Sequence, residues 1–236
     1  MTPIVLVHGG GFGASCWDRL RPLLDGPVLA VDLPGRGAHP APLESLTIEG
    51  AASSVVADID AAGFDDIALV GHSLAGCSMP AMIGLLGRRV RHAVFVACTV
   101  PEDGSSALDT LDEDMQVRTR DAQQGGGDPG VLSSDLARTL FGNDLSDEQF
   151  AWCLAQMVPE GIGLVTQAVD LSPLRSPGPR TWVRTVQDAI IVPDNQSRFA
   201  RNVDPCDLVD LDAGHMCMIS QPGELAAILN GIAAAT

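Results

Sequence analysis

The sequence contains no lysine and no tyrosine, and each of its 14 basic residues is arginine. A lysine Schiff base, a P-loop lysine and a tyrosine proton donor are therefore excluded as chemistry. Positive charge is scarce: 30 acidic residues give a formal net charge of −16 and a pI near 4.4. Such a field repels phosphate backbones and anionic lipid surfaces, which argues against nucleic acid or a membrane as partner. The six cysteines, Cys16, Cys77, Cys98, Cys153, Cys206 and Cys217, form no CxxC pair and lie largely among apolar neighbours. They read as reduced thiols in a cytoplasmic protein, neither a disulfide frame nor a zinc site. The opening Met1-Thr2-Pro3-Ile4-Val5-Leu6-Val7-His8 has no basic segment before an apolar stretch. Nothing approaches the roughly 18 consecutive apolar residues of a membrane span. A soluble protein without an export signal is expected.

What is present is apolar material, 46% of 236 residues, enough for a full core in one domain. Short β-branched runs recur at Ile4 to Val7, Val28 to Val31, Ile67 to Val70 and Ala93 to Val96. The intervals Trp17 to Leu24, Ile48 to Ala61 and Leu74 to Leu86 carry helical patterns. This alternation predicts an α/β fold, a mostly parallel sheet of about six strands with helices on both faces. After Cys98 the rhythm breaks, and Gln123 to Gly130 reads as a loop. Helical stretches follow around Leu136 to Phe141 and Phe150 to Met157, and strands return at Thr181 to Val186 and Leu208 to Leu211. A helix from Glu224 to Ala235 ends the pattern. Residues 1–236 are thus expected to form a single domain with a helical cap inserted at about 101–180, over the sheet edge where open α/β sheets bind ligands.

Gly71-His72-Ser73-Leu74-Ala75-Gly76 follows one strand and opens a helix. That context exposes a serine oxygen on a strained turn, with small residues required two before and two after it. Gly71 and Ala75 meet that requirement, although Ala75 departs from the letter of G-x-S-x-G. A serine is a weak nucleophile and needs a histidine base oriented by a carboxylate. His215 lies just beyond the last strand, in Asp212-Ala213-Gly214-His215-Met216, and Asp188 ends the strand before it. The order Ser73, Asp188, His215 is the one an α/β-hydrolase sheet imposes. Asp194, near a helix start where N-capping is its ordinary role, and Asp103 are the alternative acids. Backbone N–H groups for an oxyanion are expected from Leu74 and, in His8-Gly9-Gly10-Gly11-Phe12-Gly13, from Gly10.

These residues resemble the α/β-hydrolases, in particular the compact branch of plant methyl esterases, hydroxynitrile lyases and bacterial esterases. The resemblance covers most of the chain, including Val5 to Gly10, Asp32-Leu33-Pro34-Gly35-Arg36-Gly37, Gly71 to Gly76, Gln187 to Phe199 and Gly214-His215-Met216. The segments Leu140 to Ser146 and Met157 to Glu160 look like that branch too. The resemblance implies a cofactor-free and metal-free esterase acting on a small-molecule ester through an acylated serine. Lyases of the branch carry a threonine and a lysine where this sequence has Gly9 and Met216, which disfavours lyase activity. Phe12, Trp17, Phe141, Trp152 and Met216, with Met79, Leu140 and Met157, are candidate pocket walls, though each would serve equally as core.

Two rivals differ in kind. Gly9-Gly10-Gly11-Phe12-Gly13-Ala14 after a strand, with Asp32 ending the next, fits the dinucleotide fingerprint of a nicotinamide-dependent reductase. It leaves Ser73, Asp188 and His215 without a task. The same fold acting on lactones or carbon–carbon bonds, or as a lyase, cyclase or ligand receptor, is the other. A homodimer is compatible with the composition.

Overall fold

The computed structural model describes residues 1–113, 116–117 and 134–236; the expected loop Gln123 to Gly130 lies outside them. Six strands, β1 (Ile4–Val7), β2 (Val28–Val31), β3 (Ile67–His72), β4 (Val90–Val96), β5 (Arg180–Thr185) and β6 (Asp207–Leu211), form one sheet in the order β2-β1-β3-β4-β5-β6. Every pairing is parallel, with Val7 opposite Val31 and Gly71, His72 opposite Val96, and Thr185 opposite Leu211.

Residues of β1 are buried throughout, because the sheet is covered on both faces and successive side chains alternate between them. Val5 and Val7 join Leu69, Phe95 and Trp182 on one face. Helices α1 (Ile48–Ala61) and α2 (Met79–Leu86) and the helix Pro193–Asn202 pack there through Val55, Met82 and Phe199. Ile4 and Leu6 join Val70, Val94 and Val183 on the other, under Trp17 and the last helix, Pro222–Ala235. Burying each such side chain contributes about 1.5–3 kcal/mol.

Two helical expectations are corrected. Trp17 to Leu24 is no helix: one 3₁₀ turn, Ala14–Trp17, ends at its first residue and a second, Arg21–Leu23, lies within it, because Pro22 lacks the N–H a continuous helix needs. Leu74 to Leu86 is likewise divided, into a 3₁₀ turn Ser73–Cys77 and α2, which starts beside Pro80.

Between β4 and β5 lie α3 (Ser134–Phe141), α4 (Asp147–Ala155) and the single turns Gly163–Thr166 and Ser172–Arg175. α4 begins with a capping box in which Ser146 and Gln149 satisfy each other's N–H groups. This segment binds loops at the carboxyl ends of three strands. Val158 N–H donates to Gly11 (2.8 Å), Asn143 Nδ2 to the Gln187 carbonyl (2.7 Å), and Gly214 N–H to Asp144 (2.6 Å). No described helix is long and apolar enough to cross a membrane.

The chain leaves β1 toward β2 on one side and leaves β3 toward β4 on the other. At such a switch point the loops diverge and open a crevice at the carboxyl edge. Gly9 and Ser73 face each other across it, as described next.

Candidate active site

Ser73 has φ +54°, in the left-handed region, where a residue with a Cβ is strained by roughly 1–2 kcal/mol. Its surroundings hold it there. The Ser73 carbonyl accepts from Thr99 N–H at 3.0 Å, and the turn around it is packed so closely that glycine is needed at three neighbouring positions. A Cβ on Gly9 would sit 2.7 Å from the Ser73 Cβ, one on Gly76 would sit 2.8 Å from the Cys98 Cβ, and one on Gly71 would run into Met79 Sδ. Ser78, the next serine, donates its hydroxyl to the Ala75 carbonyl (3.1 Å).

His215 Nε2 lies 2.9 Å from Ser73 Oγ, and its Nδ1 lies 2.8 Å from Asp188 Oδ2. An ionised carboxylate only accepts, so Nδ1 carries the ring proton toward Asp188 and Nε2 is free to accept from the serine hydroxyl. Both side chains are buried: Asp188 is 4% and His215 1% exposed.

Asp188 has a dense set of donors. Oδ1 accepts from Ile190 and Ile191 N–H, each at 2.8 Å, and Oδ2 accepts from Thr185 Oγ1 at 2.9 Å. Burial pushes this carboxyl upward, but the His215 ring and the two N–H groups outweigh it, and the net direction is below the ordinary carboxylate value. Gln196, wholly buried, donates to Thr185 Oγ1 (2.9 Å) and to the Ile191 carbonyl (2.7 Å), fixing both ends of the aspartate turn.

Asp194 and Asp103 go elsewhere. Asp194 is exposed in the first turn of the helix Pro193–Asn202, one position inside Pro193, so it is not the N-cap that its position suggested. Asp103 accepts from Leu171 N–H at 2.8 Å.

The two expected oxyanion donors belong to adjoining residues. A Cβ on Gly10 would lie 3.0 Å from Leu74 Cδ2 and 3.5 Å from Leu74 Cβ. Leu74 is the second residue of its helical turn, where N–H groups have no intrahelical acceptor. The Gly11 N–H, by contrast, is taken by Glu160 Oε2 at 2.9 Å. Behind this loop, His8 donates from Nδ1 to the Gly9 carbonyl (2.8 Å) while its Nε2 accepts from Leu33 N–H (3.1 Å). Burial, and then the nearby Arg36 charge, push its pKa down to about 4.

A cavity of about 200 Å³ adjoins Ser73, walled by Leu74, Ala107, Leu111, Val165, Ile191 and Phe199, with Thr99, Thr110 and Asn195 as its polar groups. Phe12, Trp17, Phe141, Trp152 and Met216 are not among the residues that line this cavity. Trp17 and Met216 are fully buried in the core layer beneath the sheet. Trp152 packs under the Arg19 guanidinium, 5.1 Å from its ring centre. Phe12 and Phe141 do approach the site from the other side: their rings meet edge to face at 5.8 Å, and Phe141 stands 6.0 Å from the His215 ring.

Asp32, the carboxylate a dinucleotide reading would assign to a ribose, is occupied by the chain itself. It accepts from Ala14 N–H at 2.8 Å and Ala38 N–H at 3.1 Å. Partial burial pushes its carboxyl up, these two N–H groups pull it down, and it ends below the ordinary value. Among the described residues no cluster of His, Cys, Asp or Glu is arranged to hold a metal ion.

Sheet order, elbow and triad geometry together define an α/β-hydrolase. The chain belongs to the alpha/beta hydrolase family, whose model matches residues 4–228. It is similar to putative methylesterase 14, chloroplastic, of Arabidopsis thaliana, at 26% identity over 247 residues, covering 97% of this chain and 71% of that protein. It is also similar to probable esterase PIR7A of Oryza sativa subsp. indica, at 35% identity over 117 residues, 48% of this chain and 44% of that protein. Among solved structures, an extracellular alpha/beta-hydrolase from a Paenibacillus species superposes with a TM-score of 0.88 at 22% identity, covering 98% of this chain and 99% of that one. At that identity the superposition speaks to the fold.

Proposed function

We propose that the protein is a carboxylic ester hydrolase in which Ser73 is the nucleophile, His215 the general base and acid, and Asp188 the orienting carboxylate. The observation that carries this reading is the His215 ring bridging Ser73 Oγ and Asp188 Oδ2 at 2.9 and 2.8 Å. Methylesterases and an esterase among its relatives support the same substrate class.

In this reading the ester carbonyl sits over Ser73 with its oxygen between the Gly10 and Leu74 N–H groups. His215 Nε2 takes the Ser73 proton as Oγ attacks, the imidazolium is stabilised by Asp188, and the oxyanion is held by the two N–H groups. Collapse expels the alcohol, which takes the proton from His215. Water then repeats the sequence on the acyl-serine and releases the acid.

The cavity beside Ser73 holds the acyl group. At about 200 Å³ it lies below the size of ordinary drug-sized pockets, so small, largely apolar acyl groups are favoured. The chain acts as one domain, residues 1–236, with the segment at about 101–180 as its cap. Six free cysteines fit a reducing compartment such as the cytoplasm.

The test is labelling with an organophosphonate ester, with the adduct located by mass, beside a panel of chromogenic esters of graded acyl length. The expected adduct is on Ser73, and Ser73→Ala is expected to lose turnover. An adduct on another residue, or full turnover by Ser73→Ala, would overturn the reading.

A further inference from the structure

Arg36 and Glu160 meet beside the loop that carries Gly10, from segments 124 residues apart. Arg36 Nη2 is 2.6 Å from Glu160 Oε1 and Nη1 is 3.1 Å from Oε2, while Nη1 also donates to the Phe12 carbonyl at 2.7 Å. Glu160 Oε2 accepts from Gly11 N–H at 2.9 Å, and Oε1 from Gly161 N–H at 2.7 Å. The Arg36 side chain is 2% exposed and that of Glu160 17%. A planar guanidinium fork can hold two carboxylate oxygens and a carbonyl at once; an ammonium cannot match that geometry.

Two consequences follow for the Gly10 loop. The N–H of Gly11 and the carbonyl of Phe12 are both engaged, so the loop cannot rotate to present either of them to a substrate, and Gly10 is held against Leu74, whose Cδ2 would lie 3.0 Å from a Cβ there. The second concerns charge. Glu160 Oε2 would lie 3.3 Å from a Cβ on Gly10, so a carboxylate stands next to the place where negative charge must develop. Unneutralised, it would oppose an oxyanion there, and more strongly than in water because the site is partly buried.

We infer that Arg36 and Glu160 are positioning residues for ester hydrolysis: Glu160 fixes the oxyanion loop to the segment above it, and Arg36 cancels the carboxylate charge beside the reacting carbonyl. The inference rests on the esterase reading. It also explains why the turn Asp32 to Gly37 carries an arginine that points away from solvent.

The experiment compares the full-length wild type with Arg36→Met and Arg36→Met/Glu160→Gln, measuring kcat and KM on a short-chain chromogenic ester and the rate of phosphonate labelling. A purely structural cross-link predicts that the double variant is at least as impaired as the single one. The inference predicts the opposite order. Arg36→Met leaves the carboxylate unneutralised and lowers kcat and labelling about tenfold to a hundredfold, less than the loss of a whole oxyanion donor, with KM little changed; adding Glu160→Gln removes the charge and recovers most of that loss. Should Arg36→Met not fold, Arg36→Gln, which keeps a donor for the Phe12 carbonyl, carries the same comparison. A reactive wild type with a double variant as slow as the single one, or with an unimpaired Arg36→Met, overturns the inference alone. A wild type that forms no Ser73 adduct overturns the esterase reading and the inference with it.

Discussion

His72 donates from Nε2 to the carbonyl oxygen of His215 across 2.9 Å, so the residue before Ser73 holds the backbone of His215. Nδ1 of the same ring is buried with no hydrogen-bond partner. A second ring proton would have nowhere to go, and burial, followed by the neighbouring His215, pushes the His72 pKa down to about 3.

That shift has a sign. His72 and His8 take up protons in the unfolded chain below about 6.5 but in the folded protein only near 3 and 4. The unfolded state therefore binds more protons between pH 6.5 and 4, and stability falls as pH falls through that window, by on the order of 3 kcal/mol per ring at pH 4. Two such losses are a large part of an ordinary stability. Urea midpoints measured from pH 7 to pH 4 are expected to drop steeply, and His72→Gln, which keeps a donor to His215, is expected to flatten the drop. An unchanged slope in that variant contradicts the assignment. Asp188, held below its ordinary value, adds a further loss only at the acid end of the range, as pH falls from the unfolded carboxylate value through its folded one.

Replacing Asp188 by Asn leaves the shape of the turn but offers an amide to His215 Nδ1, favouring the wrong tautomer. The expected fall in kcat is about 10³ to 10⁴-fold, by analogy with the same exchange in other triads. Far-UV circular dichroism should be unchanged, and a fall of less than tenfold would mean that another carboxylate orients the ring.

Gly9 approaches Ser73 so closely that even a methyl group must displace one of them. A Cβ there would be 2.7 Å from the Ser73 Cβ and 3.0 Å from His72 Nδ1. Gly9→Ala is expected to lower stability by about 1–3 kcal/mol, as overpacking does, and to lower kcat more than a distant substitution of equal destabilising effect. Thermal melts beside ester kinetics would show this, and wild-type activity in Gly9→Ala would contradict the described contact.

Phe199 and Ile191 line the cavity beside Ser73 that the proposed mechanism assigns to the acyl group. Phe199→Ala should move the preferred acyl chain to longer homologues, each added methylene in an apolar pocket being worth about 1–3 kcal/mol. A chain-length profile identical to wild type would place the acyl group elsewhere.

The sheet was legible because strands buried on both faces must be continuous apolar runs, as at Ile4 to Val7 and Ile67 to Val70. Prolines decided what periodicity missed, breaking Trp17 to Leu24 at Pro22 and Leu74 to Leu86 at Pro80. Of the helix Pro193–Asn202 only the start near Asp194 was legible, signalled by Pro193 at its first position, because its buried face is only Gln196, Phe199 and Ala200. Ser73, Asp188 and His215 were findable because each follows the end of a strand, where chain order dictates place. The cavity walls were not, since nothing in an apolar side chain says whether it faces core or cavity. The Arg36–Glu160 pair and the buried Gln196 left no local pattern at all: their partners are chosen by the tertiary fold.

Asn143, Asp144 and Glu160 bind the loops that follow β5, β6 and β1, and all three come from the stretch between β4 and β5. That stretch is therefore no interchangeable module. A chimera that swapped it for a relative's would detach the supports of the loops carrying Asp188, His215 and Gly10 together, and transplanting a substrate preference would first require carrying those three anchors across.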